Sequence, residues 1–220
     1  MAEAAATPCP GRCRAASGVQ RKLRPLVQAV ATAFPQAQVE LWAVDEQRIG
    51  LKPILKKVWC FNGTRPITPV LHRYAWRSLV GFVHPAAGRT LWQLATSVSL
   101  PLLEVELAAF ARAAGASPTK QIVLVLDHAG WHASPKLRVP EHVHLLFLPA
   151  FSPELPPAEH LWPLSNTVLA NRHFATIDEL EDVQAERCVH LQRQLDLVRS
   201  ATLFHWWPRR LKKRQGPSKT

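Results

Sequence analysis

The sequence predicts an α/β fold, in which helices cover a sheet of buried strands. Two short, largely apolar runs at residues 122–126 and 142–148 are typical of strands covered on both faces, and they end at Asp127 and Pro149. Later in the chain, residues 176–198 carry apolar side chains at helical spacing, which predicts a long helix. Buried strands followed by an amphipathic helix favour an open α/β sheet.

The N-terminal half supplies the other predicted elements. Asn62-Gly63 is a strong turn signal between apolar runs, and a further break at His84-Pro85 indicates three antiparallel strands. Ser99 is a suitable N-cap, and Gly115 a suitable end, for a helix that joins the two halves. In chain order these elements are helix 23–34, strands 39–44, 58–61, 70–83 and 90–96, and helix 99–115.

The chain length and the net charge indicate the domain organisation and the class of partner. The 220 residues suit one domain, which we divide into a disordered basic arm (1–24), a folded unit (25–200) and a basic C-terminal tail (201–220). The formal net charge of +11 favours a polyanionic partner such as nucleic acid, although an arginine-preferring genome explains the same excess. A nucleotide cofactor is not expected, because the chain has no glycine-rich phosphate loop.

The sequence gives no sign of a membrane or of an oxidising compartment. It has no apolar run near the roughly 18 residues that a transmembrane helix needs, and its start has no apolar signal-peptide core. The four cysteines lack zinc-site spacing, so we interpret them as reduced, structural thiols. We therefore expect a cytoplasmic protein without a membrane partner.

Three acidic residues lie where ligand chemistry collects in an α/β sheet. Asp45 and Asp127 each end a predicted strand, and Glu159 lies near a predicted helix start. Each has a structural explanation when taken alone: a strand-end turn, a helix cap, or a partner of the helix dipole. Glu46 and Glu154 remain alternative ligands. Only the three positions together indicate a site.

The motifs around these acids are distinctive. The strings VELWAVDEQRIGLKP (39–53), LDHAGWH (126–132) and FLPAFSPELPPAEHLW (147–162) each contain one of them. They resemble the three acidic motifs of the DDE transposases, in the bacterial insertion-sequence branch of the mariner-like superfamily. The usual second motif there is Asp-Asn-Ala ending in His, and the third is Leu-Pro-Pro-Tyr-Ser-Pro-Glu-Leu-Asn-Pro-x-Glu ending in Trp. The resemblance extends from about Phe34 to Trp207.

The resemblance implies a ribonuclease-H-like mixed sheet flanked by helices. It assigns Asp45, Asp127 and Glu159 as catalytic residues that hold two Mg²⁺ or Mn²⁺ ions, and hard oxygen ligands of this kind suit Mg²⁺. The implied activity is metal-dependent DNA cleavage and strand transfer during cut-and-paste transposition of an insertion sequence. The last two acids are 32 positions apart, slightly closer than is common in the family, which we attribute to a shortened loop.

Residues beside the acids are candidates for accessory roles. His128 stands where the family usually has Asn, and His132 matches the family's His; both are candidates for tuning the metal site or contacting phosphate, although His128 is equally suited to a helix start. Trp162 is expected to be a packing aromatic. Pro163 removes a backbone hydrogen bond to the carbonyl of Glu159, so we expect the helix to kink there.

The implied partner is double-stranded DNA, at the element ends and at the target. The candidate DNA contacts are basic residues in two clusters: Lys52, Lys56 and Lys57, and Arg209, Arg210, Lys212 and Lys213. The family normally carries two N-terminal helix-turn-helix modules, and the roughly 38 residues before the first strand are too few for them. We therefore expect a helix-turn-helix half that is separately encoded, fused by frameshifting, or lost, and a homodimer is a second candidate partner. The protein would act at the nucleoid.

Two alternative functions are compatible with the same predicted fold. One is a truncated, non-catalytic transposase remnant that only binds DNA. The other is a metal-dependent nuclease that cuts without joining, which strand-transfer products would exclude.

Overall fold

The computed structural model describes residues 10–67, 73–127, 134–149 and 155–208, with side chains from residue 18 onward. The strands are β1 (Gln38–Gly50), β2 (Trp76–His84), β3 (Arg89–Ala95), β4 (Lys120–Leu126) and β5 (Val143–Phe147). The helices are α1 (Pro10–Ala33), α2 (Leu100–Ala114), α3 (Trp162–Ser165), α4 (Ile177–Gln192) and α5 (Leu195–Thr202), with short 3-10 helices at Pro157–Leu161 and Asn166–Val168.

The five strands form one mixed sheet in the order β3-β2-β1-β4-β5. β1, β2 and β3 are antiparallel neighbours, whereas β4 and β5 both run parallel to β1. β1 is therefore the central strand, where the antiparallel half meets the parallel half. The predicted α/β class and its mixed sheet are confirmed.

Helix α2 covers one face of the sheet, with Leu137 of the loop before β5 packed against the same cluster. Phe110 of α2 stacks on Phe82 of β2, with ring centroids 4.2 Å apart, and meets Trp42 of β1 edge-on at 5.3 Å. The helix is well delimited: the Ser99 hydroxyl accepts from the N–H of Leu102, and Gly115 ends the helix with φ of 77°. Both predicted caps are confirmed.

The other face carries the remaining helices. Leu41 and Ala43 of β1 and Val123 and Val125 of β4 belong to a buried cluster with side chains of α1, the first 3-10 helix and α5. A neighbouring buried cluster extends the same layer over β2 with residues of α4, including Leu180. Residues two apart in a strand share a face, so the odd-numbered positions of β1 all point to this layer.

The predicted disordered arm at 1–24 is wrong from residue 10 onward, because α1 begins at Pro10. Val19 and Leu23 pack into the core together with Val30, at helical intervals of four and seven residues. We missed this periodicity among the alanines and arginines around it. The core also includes Trp206 and Trp207, so the packed unit extends beyond both predicted boundaries, 25 and 200.

Two predicted elements differ in the structure. Residues 58–61 form no strand; all side chains from 55 to 67 are exposed, because no edge of the described sheet lies beside them. The helix predicted over 176–198 is two helices, α4 and α5. The capping box is confirmed, with the Thr176 hydroxyl accepting from the N–H of Glu179, but the chain turns at Arg193 and Gln194 before α5.

The described thiols agree with a structural role for the core cysteine. Cys188 of α4 is buried, and this burial raises the pKa of its thiol to about 11, so the group stays protonated and unreactive near neutral pH. Cys60 is an exposed free thiol. Among the described residues, no helix has the length and apolar character needed to span a membrane.

Candidate active site

Asp45 and Asp127 are brought together by the register of two parallel strands. The pairs along β1 and β4 run from Gln38 with Lys120 to Ala43 with Val125, a constant offset of 82 residues. Asp45 and Asp127 are also 127 − 45 = 82 residues apart, so each lies two residues beyond the last pair. Adjacent strands are about 4.8 Å apart. The predicted proximity of these two carboxylates is therefore built into the sheet.

The face to which Asp45 points follows from the alternation of side chains along β1. Asp45 follows Leu41 and Ala43 at intervals of two, and those side chains pack on the layer formed by α1, the first 3-10 helix and α5. Asp127 lies directly after β4, two residues beyond Val125. Both acids are partly exposed, at the end of the sheet where the buried strands leave the core.

Glu159 belongs to a helical segment that packs on the same face of the sheet as Leu41 and Ala43. It lies in the 3-10 helix Pro157–Leu161, whose Ala158 and Leu161 are fully buried against the sheet. We predicted an ordinary helix start here. Pro163 has no N–H to donate to the carbonyl of Glu159, and the N–H of Trp162 donates to it instead, which is the 3-10 pattern. Where a kink was predicted, the chain changes from the 3-10 helix to α3 at Trp162.

Trp162 joins two of the predicted site residues. Its indole Nε1 donates a hydrogen bond to Oδ2 of Asp45 at 2.7 Å, and its backbone N–H donates to the carbonyl oxygen of Glu159. Sequence reasoning assigned Trp162 only to packing. Its position three residues after Glu159 was the one available signal, because a helical segment places such residues on one side.

Gly81 makes room for this arrangement. It is the residue of β2 that pairs with Asp45. A Cβ atom added there would lie 3.0 Å from Cδ1 of Leu161 and 3.1 Å from Cη2 of Trp162. The absent side chain thus lets the segment that carries Glu159 approach the sheet directly beside Asp45.

The alternative ligand Glu46 faces away from the site. It is adjacent to Asp45 in β1, and its Oε1 accepts a hydrogen bond from the Ser78 hydroxyl at 2.8 Å on the opposite side of the sheet. This geometry favours Asp45 over Glu46. The other alternative, Glu154, and the accessory candidates His128 and His132 lie outside the described residues.

The chemistry of the three side chains fits a divalent ion, since carboxylate oxygens are the ligands that Mg²⁺ and Mn²⁺ prefer. Asp45 and Asp127 lie at the same end of the sheet, and Glu159 lies in the 3-10 helix that packs on β1 and β2. In the described part of the chain, however, no three acidic, histidine or cysteine side chains converge closely enough to hold an ion. The three acids therefore remain candidate ligands that are near one another in the fold.

The candidate DNA contacts are only partly described. Lys52, Lys56 and Lys57 are exposed in the segment after β1, next to Trp59 and Phe61, which are also exposed. The second cluster, Arg209, Arg210, Lys212 and Lys213, lies outside the described residues. Just before it, Trp206 and Trp207 are 4% and 2% exposed, so this pair packs in the core and is not available to stack on bases.

Known proteins resemble this chain in sequence. A family model described as DDE superfamily endonuclease matches residues 40–181. An uncharacterized protein of Sinorhizobium fredii, y4pE/y4sA, is 35% identical over 106 residues, which cover 48% of this chain and 77% of that protein.

Solved structures of Mos1 transposase have a similar fold. The paired-end complex with the left transposon end matches with a TM-score of 0.53 at 15% identity, covering 92% of this chain and 65% of that chain. The mariner paired-end complex with Mn matches with a TM-score of 0.55 at 14% identity and the same coverage. The chain thus spans slightly less than two thirds of the Mos1 chain.

These findings confirm the ribonuclease-H-like fold and the resemblance inferred from the three motifs. The matched region contains all three predicted acids, on β1, after β4 and in the first 3-10 helix. Because the family model covers more than half of the chain, the protein belongs to the DDE superfamily of endonucleases.

Proposed function

We propose that this chain is the catalytic domain of a DNA transposase that cleaves DNA and joins the freed 3′ ends to a target. The observation that carries the proposal is the shared register of Asp45 and Asp127, with Glu159 held over the same face by a buried 3-10 helix. Mos1, a fold relative, has been captured as a paired-end complex with transposon DNA. By this proposal the domain acts on the nucleoid in the cytoplasm.

The three carboxylates would hold two divalent ions, Mg²⁺ or Mn²⁺. Bound ions of this kind activate the attacking water or hydroxyl, neutralise the phosphate oxygens and stabilise the leaving 3′ oxygen. The chain's own contribution is to fix the proposed ligands: Asp45 sits on β1, Asp127 directly after the adjacent strand β4, and Glu159 on a segment packed against β1 and β2. Support comes from Mos1, whose paired-end complexes were obtained with Mn and with Mg.

Double-stranded DNA is the proposed substrate. From Gln47 to Leu103 the chain contains eight lysines and arginines and no acidic residue, and we call this the cationic stretch. Two of its cations are paired within the fold, Arg77 with Glu181 and Arg89 with Glu40. Lys52, Lys56 and Lys57 are exposed and are proposed to contact phosphates, since neutralising phosphates releases counterions and strengthens binding.

The C-terminal basic cluster and the protein partners complete the proposal. Arg209, Arg210, Lys212 and Lys213 are proposed as further phosphate contacts. A helix-turn-helix half that reads the element ends and a second copy of the chain are the proposed partners. The paired-end state of Mos1 supports an assembly in which two DNA ends are held together.

The test is nicking of supercoiled plasmid by the purified chain with Mg²⁺ or Mn²⁺, beside the Asp127→Asn variant. Metal-dependent nicking is expected from the native chain. The variant should be slower by more than about 100-fold, because loss of a ligand exceeds the 10–100-fold effects typical of residues behind the ligands. Equal nicking by both proteins would refute the proposed site.

The rival nuclease function is separated by the products. A transposase joins a labelled DNA 3′ end to the plasmid, whereas a nuclease leaves only nicked or linear plasmid. The remnant alternative predicts DNA binding with no cleavage under any metal condition, including in the presence of an added helix-turn-helix partner.

A further inference from the structure

We propose that Trp162 is a positioning residue that holds the carboxylate of Asp45 in the orientation needed to bind a divalent ion. The inference rests on the proposed function, since it assigns the control of one metal ligand in that site. It goes beyond the three acidic motifs, because an indole N–H cannot coordinate a metal and acts only through Asp45.

The first observation is the double connection made by this residue. The indole N–H donates to Oδ2 of Asp45 at 2.7 Å, a short bond typical of a charged acceptor. The backbone N–H of the same residue donates to the carbonyl oxygen of Glu159. Trp162 therefore connects the first acid, on the central strand, to the segment that carries the third.

The second observation is that the ring is immobilised by packing. Gly81, which pairs with Asp45 across the sheet, leaves space into which the edge of the Trp162 ring fits; an added Cβ would come within 3.1 Å of Cη2. Trp92 packs on the other side, with ring centroids 6.2 Å apart. The carbonyl oxygen of Trp162 also accepts from Ser165 and from the N–H of Asn166, which fixes its backbone.

A fixed donor has a specific consequence for a carboxylate. The group has about four acceptor positions on two oxygens, so one N–H bond can fix its rotation while the group still binds an ion. Hydrogen-bonding partners behind metal ligands orient those ligands and typically contribute 10–100-fold to metal affinity or activity. Without the indole N–H, Asp45 must lose orientational freedom when the ion binds.

The experiment compares Trp162→Phe with Trp76→Phe in the full chain. Trp76, at the start of β2, is 45% exposed and its ring lies under the Arg48 guanidinium, 4.8 Å from the ring centroid, which makes it a matched control for loss of an indole away from the candidate site. The primary measurement is Mn²⁺ binding without DNA, from the free Mn²⁺ signal in electron paramagnetic resonance. Plasmid nicking against Mg²⁺ concentration is the second.

We expect Trp162→Phe to weaken Mn²⁺ binding by about 10–100-fold and to raise the Mg²⁺ concentration for half-maximal nicking similarly. Trp76→Phe should stay within about twofold of the native chain. If Trp162→Phe binds Mn²⁺ as the native chain does, the inference is refuted while the proposed function stands. If the native chain neither binds Mn²⁺ nor nicks DNA, both fail.

A second substitution guards against misfolding. Replacing Trp162 with benzothienylalanine keeps the shape of the two-ring side chain and exchanges the N–H for sulfur. Weakened Mn²⁺ binding in this variant, with an unchanged thermal unfolding midpoint, isolates the donor as the cause. Native-like Mn²⁺ binding in it would show that only the volume of the ring matters, and would overturn the inference.

Discussion

Adjacent acids on one strand have different surroundings because a strand alternates its faces. Asp45 points to the layer that contains Glu159 and accepts from Trp162, whereas Glu46 accepts from Ser78 on the other side. A register shift of one residue would exchange the two acids. The sequence predicted an acid at this strand end but left both residues as ligands, since the facing direction depends on which helices cover the sheet.

Asp45→Asn and Glu159→Gln should each reduce metal-dependent nicking by more than about 100-fold, because each removes a proposed carboxylate ligand. Glu46→Gln is the matched control: it is the same class of change one residue away, and its amide oxygen can still accept from Ser78. Initial rates on supercoiled plasmid, with circular dichroism to verify folding, provide the measurement. Loss of activity in Glu46→Gln alone would reverse the assignment.

Trp162 shows a limit of prediction at the residue scale. A tryptophan three positions after a candidate ligand is consistent with packing, which was our prediction, and also with hydrogen bonding. Only the approach of the 3-10 helix over Gly81 brings its indole to Asp45. That approach depends on a contact between residues 81 and 162, which no local pattern in the sequence reports.

At the scale of helices and strands, predictions were correct where a few adjacent residues determine the structure. Ser99 and Gly115 delimit α2 as expected, because capping and left-handed termination are properties of a few adjacent residues. The strand predicted at 58–61 was wrong because an apolar run becomes a strand only beside a sheet edge. Helix α1 was missed over its first half, since its buried side chains are widely spaced among small and basic residues.

The packing of the first 3-10 helix on β2 can be tested at Gly81. Gly81→Val should lower the free energy of unfolding by about 1–3 kcal/mol, the usual cost of overpacking, because its side chain would collide with Leu161 and Trp162. The variant should also slow nicking. Urea unfolding monitored by circular dichroism measures the first effect.

Gly18→Ala is the control for that substitution. Gly18 lies within α1, and an added Cβ meets no atom within 4 Å. Alanine there should stabilise the protein by about 0.5–1 kcal/mol through its higher helix propensity. An equally tolerated Gly81→Val would mean that the 3-10 helix does not rest on the sheet as described.

At the scale of the molecule, the end of the sheet away from the candidate site contains a cluster of ion pairs. A buried ionic cluster lies far from the candidate site: Glu40, at the start of β1, pairs with Arg89 and Lys120 and accepts from the Trp42 indole. Burial alone would raise the pKa of Glu40, but the hydrogen bond and the two cations outweigh it and lower that pKa. His84, nearby, has its pKa lowered by burial.

These shifts predict loss of stability in acid. His84 stays neutral in the folded chain while the unfolded chain binds a proton near pH 6.5, so stability falls as the pH drops below that value. Glu40 contributes stability above its unfolded pKa and loses it as the pH falls through its lower folded pKa. The melting temperature should therefore decline from pH 7.5 to pH 4.

The His84→Asn variant tests whether His84 causes the fall in melting temperature between pH 7 and pH 5.5. Asparagine does not titrate and can still accept from the N–H of Ala87, as Nδ1 of His84 does. Its melting temperature should vary less between pH 7 and pH 5.5 than that of the native chain. A steeper dependence in the variant would contradict the assigned direction of the His84 pKa.

DNA binding should depend on salt through the exposed lysines. Replacing Lys56 or Lys57 with Gln should reduce the slope of log affinity against log salt concentration by about 1 for each phosphate that the variant no longer neutralises. Arg112→Gln is the control, because this exposed cation lies on α2, on the opposite face of the sheet from the candidate site. Fluorescence anisotropy with a labelled duplex gives both slopes, and equal slopes would exclude these lysines.

The absence of acidic residues from Gln47 to Leu103 has a consequence for how the protein would respond to its surroundings. Within this stretch no carboxylate competes with phosphate for its lysines and arginines, so under the proposed function the affinity for DNA would be set mainly by salt concentration, through counterion release. Acidity acts instead on the cluster around Glu40 and His84. Ionic strength would thus control DNA binding, and pH would control folding, through separate parts of one small domain.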